Sequence, residues 1–188
     1  MHACSKIDSP KIESSKIHDD RWYMQQALKQ AQLATRHGEV PVGAIVIDFA
    51  GNIVARAYNQ TIKHNSPLAH AESLAIAKAA HKQGDWRLVG YTLYVTIEPC
   101  SLCMNLIIMS RISRLVYGAS SPQYGFSLDK YCVFDLYKIP LAIASGIEAQ
   151  SALKYLRQFF EQRRSARHDA KKNQKGRAGK SEKPATDT

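Results

Sequence analysis

Two short stretches, His70-Ala71-Glu72 and Pro99-Cys100-Ser101-Leu102-Cys103, hold residue types that can do chemistry together. They supply one imidazole, two thiols and one carboxylate. Imidazole nitrogen and thiolate sulfur are zinc ligands. Three protein ligands leave a fourth position for water, whereas structural zinc is usually closed by four. Bound zinc lowers the pKa of water from 15.7 to about 7, and a carboxylate beside it can take and redeliver the proton. The expectation is one Zn2+ per chain on His70, Cys100 and Cys103, with Glu72 outside the ligand set as proton carrier. A closed structural site, completed by Cys132 or His64, is the competing arrangement.

Such a site dictates what must hold it. Cys100 and Cys103 are three apart, so on a helix they share one face. Pro99 suits a helix start, where its missing N–H costs nothing. Thiols in a first turn feel the helix's positive end, which favours the thiolate that a metal needs. His70 and Glu72 are two apart and would diverge in a helix interior. At a helix N-terminus side chains lean back toward the open end, and both can reach a point beyond it. Two helices are therefore expected to aim their N-termini at one metal.

The rest of the chain supplies those helices. Residues 1–18 are polar and aperiodic and read as a mobile arm. A helix begins at Asp19 or Asp20, carries Trp22, Met24, Ala27, Leu28, Ala31 and Ala34 at near-helical spacing, and ends at Gly38. Residues 43–49 and 53–58 form a hairpin around Ala50-Gly51-Asn52. Residues 59–67 read as a loop. An alanine-rich helix from His70 to Gly84 follows, then a strand over 91–97, the second metal helix over 100–111 and a strand over 115–117. A short helix over 128–136, a strand over 141–147 and a helix over 148–164 complete the pattern. Helices alternating with strands after a hairpin imply an α/β fold with three layers, α/β/α, and a mixed sheet of about five strands. The domain spans 19–165, and 166–188 read as a disordered basic tail.

The chain of 188 residues suits one domain, and its net charge of +10 is unevenly placed. Residues 163–188 hold nine Lys/Arg against three acids, leaving +4 for everything before them. Cys4 and Cys132 make an unconvincing disulfide, and no secretion signal is visible, so reduced thiols in a cytoplasm are expected. The apolar runs are too short to cross a bilayer, so no membrane partner is expected.

His-x-Glu followed by Pro-Cys-x-x-Cys is the signature of zinc nucleobase deaminases, and these residues resemble the cytidine deaminase superfamily. Residues 39–44 (Glu-Val-Pro-Val-Gly-Ala), Asn59, residues 92–98 and Ser110-Arg111-Ile112 are similar to the bacterial tRNA-specific adenosine deaminases. Phe159-Phe160-x-x-Arg163-Arg164 resembles their C-terminal helix, and the likeness covers about residues 20–165. The resemblance implies a deaminase fold, a homodimer, and conversion of adenosine to inosine at the wobble position of a tRNA anticodon. It implies zinc on His70, Cys100 and Cys103, and Glu72 as the catalytic proton shuttle. Asn59 would hydrogen-bond the flipped base and Val42 would line its pocket. Phe159, Phe160, Arg163 and Arg164 would face the anticodon stem-loop. Three features depart from the family. Met104-Asn105 replace Ala-Gly, Leu68 replaces Thr, and residues 120–125 lack the charges of Arg-Asp-x-Lys-x-Gly. Two other functions use parts of the same sequence: deamination of a free guanine- or cytosine-type base or nucleoside, and RNA binding around a structural zinc.

Overall fold

Helix α1 (Asp20–Arg36) opens at Asp19, whose carboxylate accepts the Trp22 N–H at 2.8 Å. Asp19 is thus the cap, and Asp20 is released for another task. The computed structural model describes residues 17–128 and 140–178 of the chain. After α1 come β1 (Gly43–Ile47), β2 (Ile53–Tyr58), α2 (Thr61–His64), α3 (Ala71–Gln83), β3 (Thr92–Ile97) and α4 (Ser101–Met109). Then follow β4 (Arg114–Ala119), a 3-10 turn (Phe126–Leu128), β5 (Ala142–Ala144) and α5 (Ala149–Ala178). The expected helix over 128–136 and residues 1–16 of the expected arm lie outside the described residues.

The five strands form one sheet in the order β2-β1-β3-β4-β5. Strand β1 is antiparallel to both β2 and β3, whereas β3, β4 and β5 are parallel. The mixed sheet of the sequence reading is present. Alternation along the strands sorts the core into two faces. Ile45, Ile47, Tyr94 and Val116 pack under α1 with Tyr23, Met24 and Ala27. Ala44, Val46, Leu93, Val95 and Leu115 pack on the other side with Ala71, Ala75, Met104, Ile107 and Ile108 from α3 and α4. The result is the expected three layers.

This topology decides where the metal helices begin. Both β2 and β3 run opposite to β1, so they point the same way. Helix α3 follows β2, α4 follows β3, and both return across one face of the sheet. Their N-termini therefore meet outside the same ends of those strands, where α/β sheets place ligands. Close contact holds the opposite layer. A Cβ on Gly43 would stand 2.2 Å from the Ala27 carbonyl oxygen and 2.4 Å from the Ala31 nitrogen. Only glycine lets β1 come that near to α1.

Strand β5 covers only Ala142–Ala144 of the expected 141–147, and three further elements differ from expectation. Strand β1 stops at Ile47 because the Asp48 carboxylate turns the chain, accepting N–H groups from Ala50 at 2.9 Å and Asn52 at 2.8 Å. Residues 61–64, read as loop, form the one-turn α2, which is held by a carboxylate distant in sequence. The disordered tail is the third. Helix α5 runs on to Ala178, past the expected end near 164 and through the first thirteen of the residues assigned to the tail. Lack of an apolar period removes a packing face, but it does not stop a helix. Residues 165–175 contain no Gly or Pro and are mostly strong helix formers, and each residue added to an anchored helix gains one backbone bond.

Asp20 joins α1 to the middle of the sheet. Its carboxylate accepts two bonds from Arg114, each at 2.7 Å, and one from the Tyr94 hydroxyl at 2.7 Å. The Arg114 hydrogen bonds hold the Asp20 carboxyl below its ordinary pKa, against partial desolvation. This stabilisation is full above the unfolded pKa of about 3.9 and is lost as pH falls through the lower folded value. Asp20→Asn should thus lose about 1–2 kcal/mol at neutral pH, the range of a charge-assisted bond reduced by exposure. Chemical denaturation from pH 7 to pH 2 checks this: the two stability curves should converge as the acid limb is reached.

Candidate active site

His70 is the N-cap of α3 and Cys100 the N-cap of α4, with Cys103 one turn into α4. Neither cap residue spends its side chain on capping, so both side chains are available to each other. The His70 Nδ1 lies 3.3 Å from the Cys103 Sγ and 3.6 Å from the Cys100 Sγ. Ligand atoms of these three residues all fall within 4.8 Å of one another. Zinc bonds of about 2.3 Å to sulfur and 2.0–2.1 Å to nitrogen, at a tetrahedral angle, imply N···S separations of about 3.6 Å. The observed distances fit that set. His64, a possible fourth ligand, instead bonds Gln60 at 3.3 Å, and Cys132 lies outside the described residues.

The titration of these groups shows how closely they are coupled. A hydrogen bond from Cys103, with further help from His70, brings the Cys100 thiol down to about 4 against the opposing effect of burial. The same hydrogen bond and burial push Cys103 the other way. The pair thus favours the thiolate on Cys100 and the thiol on Cys103. A divalent cation between them would favour the thiolate on both. His70 is raised by its bond to Cys100.

Glu72 follows in the first turn of α3 and is 4% exposed. Burial raises its pKa, while its own backbone N–H, His70 and the Cys103 thiol act to lower it. Its carboxyl therefore sits against the donor set without being one of the three clustered ligands.

Asn59 and Val42 stand together, since the Asn59 N–H donates to the Val42 carbonyl at 3.0 Å. Asn59 is buried at the end of β2, and the next N–H, from Gln60, donates to Ala69 beside His70 at 2.9 Å. The Asn59 Nδ2 donates to Glu39 and to Thr61, both at 3.2 Å. Each Glu39 carboxyl oxygen already accepts a backbone N–H, so Glu39 fixes which way the amide points. Glu39 is fully buried and also accepts the Ile62 N–H at 3.2 Å and the Lys63 N–H at 2.7 Å. One side chain thereby builds α2 and orients Asn59.

Glu98 does similar work on the other side. It accepts the Ser121 N–H at 2.9 Å and the Ser127 N–H at 3.0 Å, pinning the loop after β4. A Cβ on Gly125 would lie 2.4–2.6 Å from the Glu98 carboxylate, so that loop needs glycine there. Sequence reasoning missed Glu39 and Glu98 as site supports. Their signal was a charged residue inside an otherwise apolar run, visible at 39–44 and 92–98 without its partners. The departures at 104 and 105 are accommodated: Met104 is buried in the core, and Asn105 bonds the Ser101 carbonyl at 2.7 Å. Leu68 is exposed, and its carbonyl accepts the Ser73 hydroxyl.

Phe159, Phe160, Arg163 and Arg164 gather with Val40, Ile62 and Arg167 around a groove of about 270 Å³. The two phenylalanines differ. Phe159 is 6% exposed and lies under Arg163 at 5.2 Å, whereas Phe160 is 44% exposed. Phe159 packs; Phe160 meets it edge-to-face at 5.3 Å and keeps the rest of its ring open to solvent. Arg163 also donates to the Gly38 carbonyl at 2.8 Å. Ile62 links this groove to Glu39 and hence to Asn59.

Residues 17–119 match the family model of the cytidine and deoxycytidylate deaminase zinc-binding region, which sets the class as zinc-binding deaminase. Zinc is accordingly the cofactor, with His70, Cys100 and Cys103 as the metal site for one ion per chain. Within that class, the chain is 39% identical over 160 residues to the tRNA-specific adenosine deaminase of Haemophilus influenzae, covering 84% of this chain and 91% of that protein. It is 37% identical over 156 residues to the tRNA-specific adenosine deaminase of Bacillus subtilis, covering 82% and 96%. A solved structure from work on A-to-I editing by tRNA:A34 deaminases superposes with a TM-score of 0.67 at 35% identity, over 72% of this chain and 99% of that one. The chain belongs to the tRNA-specific adenosine deaminase family.

Glu39→Gln tests the support of Asn59. The new amide would have to set its nitrogen against either the Lys63 N–H or the Ile62 N–H and Asn59 Nδ2, an unpaired buried contact worth about 1–3 kcal/mol that strains the Asn59 support. Zinc content should stay at one per chain while kcat/KM falls roughly tenfold or more. Metal analysis beside steady-state kinetics checks this, and unchanged kinetics would remove Glu39 from the positioning role.

Proposed function

We propose that this chain hydrolyses adenosine to inosine at the wobble position of a tRNA anticodon. The observation that carries the reading is the buried Glu72 carboxyl set against an open three-donor metal site, in a chain whose relatives act on tRNA. When bound, zinc supplies a Lewis acid that brings the pKa of a water to about 7. Glu72 would take the proton that this water gives up as its oxygen bonds C6, and deliver it to the ring at N1. It would then carry the remaining proton of the new C6 hydroxyl to the amino nitrogen, which leaves as ammonia as the C6–N bond breaks, leaving a C6 carbonyl beside N1–H. The Asn59 amide nitrogen is committed to Glu39 and Thr61, so its carbonyl oxygen is the atom it offers to the flipped base. Val42 forms the apolar wall beside it. Phe160 offers a ring for an unstacked base, and Arg163 and Arg164 offer cations for phosphates. Phe159 supports both from beneath.

The same reading makes residues 19–165 the deaminase domain and the working form a homodimer, as the family resemblance implies. A cytoplasmic site of action suits a tRNA substrate and a metal site that needs reduced thiols. Among the described residues, no helix is long and apolar enough to cross a membrane. A free base or nucleoside as substrate would leave the groove at α5 without a task. A purely structural zinc would leave Glu72 without one.

Glu72→Ala should keep zinc and fold and lose turnover by about 10²- to 10⁴-fold, the usual contribution of a general acid/base. The substrate is decided by offering the unmodified enzyme an anticodon stem-loop with a wobble adenosine, free adenosine, guanine and cytidine. Inosine should form in the stem-loop with the highest kcat/KM. Preference for any free base or nucleoside would defeat the tRNA reading and leave the zinc site standing.

A further inference from the structure

Among the described residues, the large aromatic side chains left exposed are Phe49, Trp86, Tyr124 and Phe160. Strand β1 is antiparallel to β2, so Phe49, in the turn between them, lies at the end of the sheet away from the metal site. Trp86 follows the C-terminus of α3 and lies at that far end too. Phe160 belongs to the groove described above. Tyr124, on the loop after β4, is 73% exposed and has no task in the fold so far described.

The topology fixes where that loop begins. Strands β3 and β4 are parallel, with Ile97 opposite Ala119, so both run out at the end where Cys100 starts α4. The sheet order puts β2 and β4 on either side of β1 and β3. Residues 59–64 and residues 120–128 therefore border the metal site from opposite sides. The second of these borders is tied down along its length. Glu98 accepts the Ser121 and Ser127 N–H groups, and Pro99 accepts the Phe126 N–H at 2.9 Å. Ser121 accepts the Gly125 N–H at 2.9 Å, and the Phe126 ring meets Tyr117 edge-to-face at 6.2 Å. Tyr124 sits inside this clamp, beside the Gly125 that makes room for the Glu98 carboxylate. A ring on a loop already held in place costs less ordering when it binds. Residues 120–127 carry no charge, so the loop has no cation for a phosphate. What it presents is a ring, and rings recognise unstacked bases.

We propose that Tyr124 is a specificity-determining residue, a stacking platform for one base adjacent to the target adenosine. This rests on the reading of the substrate as an anticodon loop. A nucleotide flipped into the zinc site leaves a neighbour outside it on each side. The groove with Phe160 includes Ile62 of α2 and so borders one side of the site, and Tyr124 stands on the other. The two neighbours thus meet different surfaces. Stacking strength differs between bases, so a platform here supplies a sequence preference that the zinc centre cannot.

The test pairs variants of the full chain with variants of the RNA. The unmodified protein, Tyr124→Phe and Tyr124→Ala are each given an anticodon stem-loop with a wobble adenosine. Each also receives two further stem-loops, one abasic just before that adenosine and one abasic just after it. On the intact stem-loop Tyr124→Ala should lower kcat/KM roughly 5- to 150-fold, the worth of one base stacked on an aromatic ring. Tyr124→Phe should stay within about twofold of the unmodified protein, since the ring and not the hydroxyl carries the contact. On one abasic stem-loop the Tyr124→Ala loss should shrink to about twofold or less, and on the other it should persist in full. Zinc content and thermal unfolding should be those of the unmodified protein. An equal loss on all three RNAs would overturn the platform, as would a Tyr124→Phe loss as large as that of Tyr124→Ala, or no loss at all. Failure of the unmodified protein to form inosine in the intact stem-loop would overturn the substrate reading and the platform together. Normal inosine formation with any of the preceding results would overturn the platform alone.

Discussion

Everything in this structure depends on two helix N-termini being brought to one point. Each N-terminus carries about half a positive charge from its aligned peptides and several unpaired N–H groups. Such a point favours anions, and the chain places two thiols and a carboxyl there. Hydrogen bonds from Cys103 and then His70 lower the Cys100 thiol, while the Cys103 bond and burial raise its neighbour, so the two thiols are driven apart. A cation with tetrahedral preference resolves the conflict, which is why the donor set and the sheet topology have to be explained together. If β2 and β3 did not run the same way, His70 and Cys100 would begin helices at opposite ends of the sheet.

The chain buries three glutamates around this point, and their surroundings separate their tasks. Glu39 and Glu98 are each held by two backbone N–H groups, in addition to the side chains that Glu39 receives. A carboxylate so bonded ties a distant segment to the sheet and serves as a structural anchor. Glu72 faces the metal donors, and burial dominates its titration. A carboxyl in that condition can change its protonation state without releasing a loop. The anchors also explain why the site keeps its shape on loops. Residues 59–64 and 120–128 contribute no strand, yet each is tied to a buried charge.

Much of this was legible in the residues. His70, Glu72, Cys100 and Cys103 stand at spacings that few other chemistries need, and Gly84 closes α3 in the left-handed conformation that a stop signal implies. The hairpin and the parallel pair followed from alternation and from helix-length gaps. What remained hidden depends on partners far apart in sequence. Helix α2 is too short to have a periodicity, and its N–H groups are satisfied by Glu39, more than twenty residues earlier. Phe159 and Phe160 look alike as neighbours in a sequence, but on a helix they point about 100° apart, so only one could be buried. The end of α5 was misread because apolar spacing reports packing, while helix continuation depends on propensity.

The metal site cannot by itself choose a substrate, since any exocyclic amine on a ring could meet zinc and Glu72. Selection has to come from the next layer out, and there the chain distributes its charges unevenly. Residues 120–127 in the loop beside Glu98 carry none, and that loop is held by hydrogen bonds to its backbone. The cations Arg163, Arg164 and Arg167 stand on α5, around the groove shared with Val40 and Ile62. A small free base would gain nothing from charge outside the pocket. A substrate whose reacting base is attached to a long phosphate backbone would gain at both ends: orientation from Asn59 within, and attraction from the helix without. Charge placed beyond the reach of a nucleoside is the feature that joins an ordinary zinc centre to a macromolecular substrate.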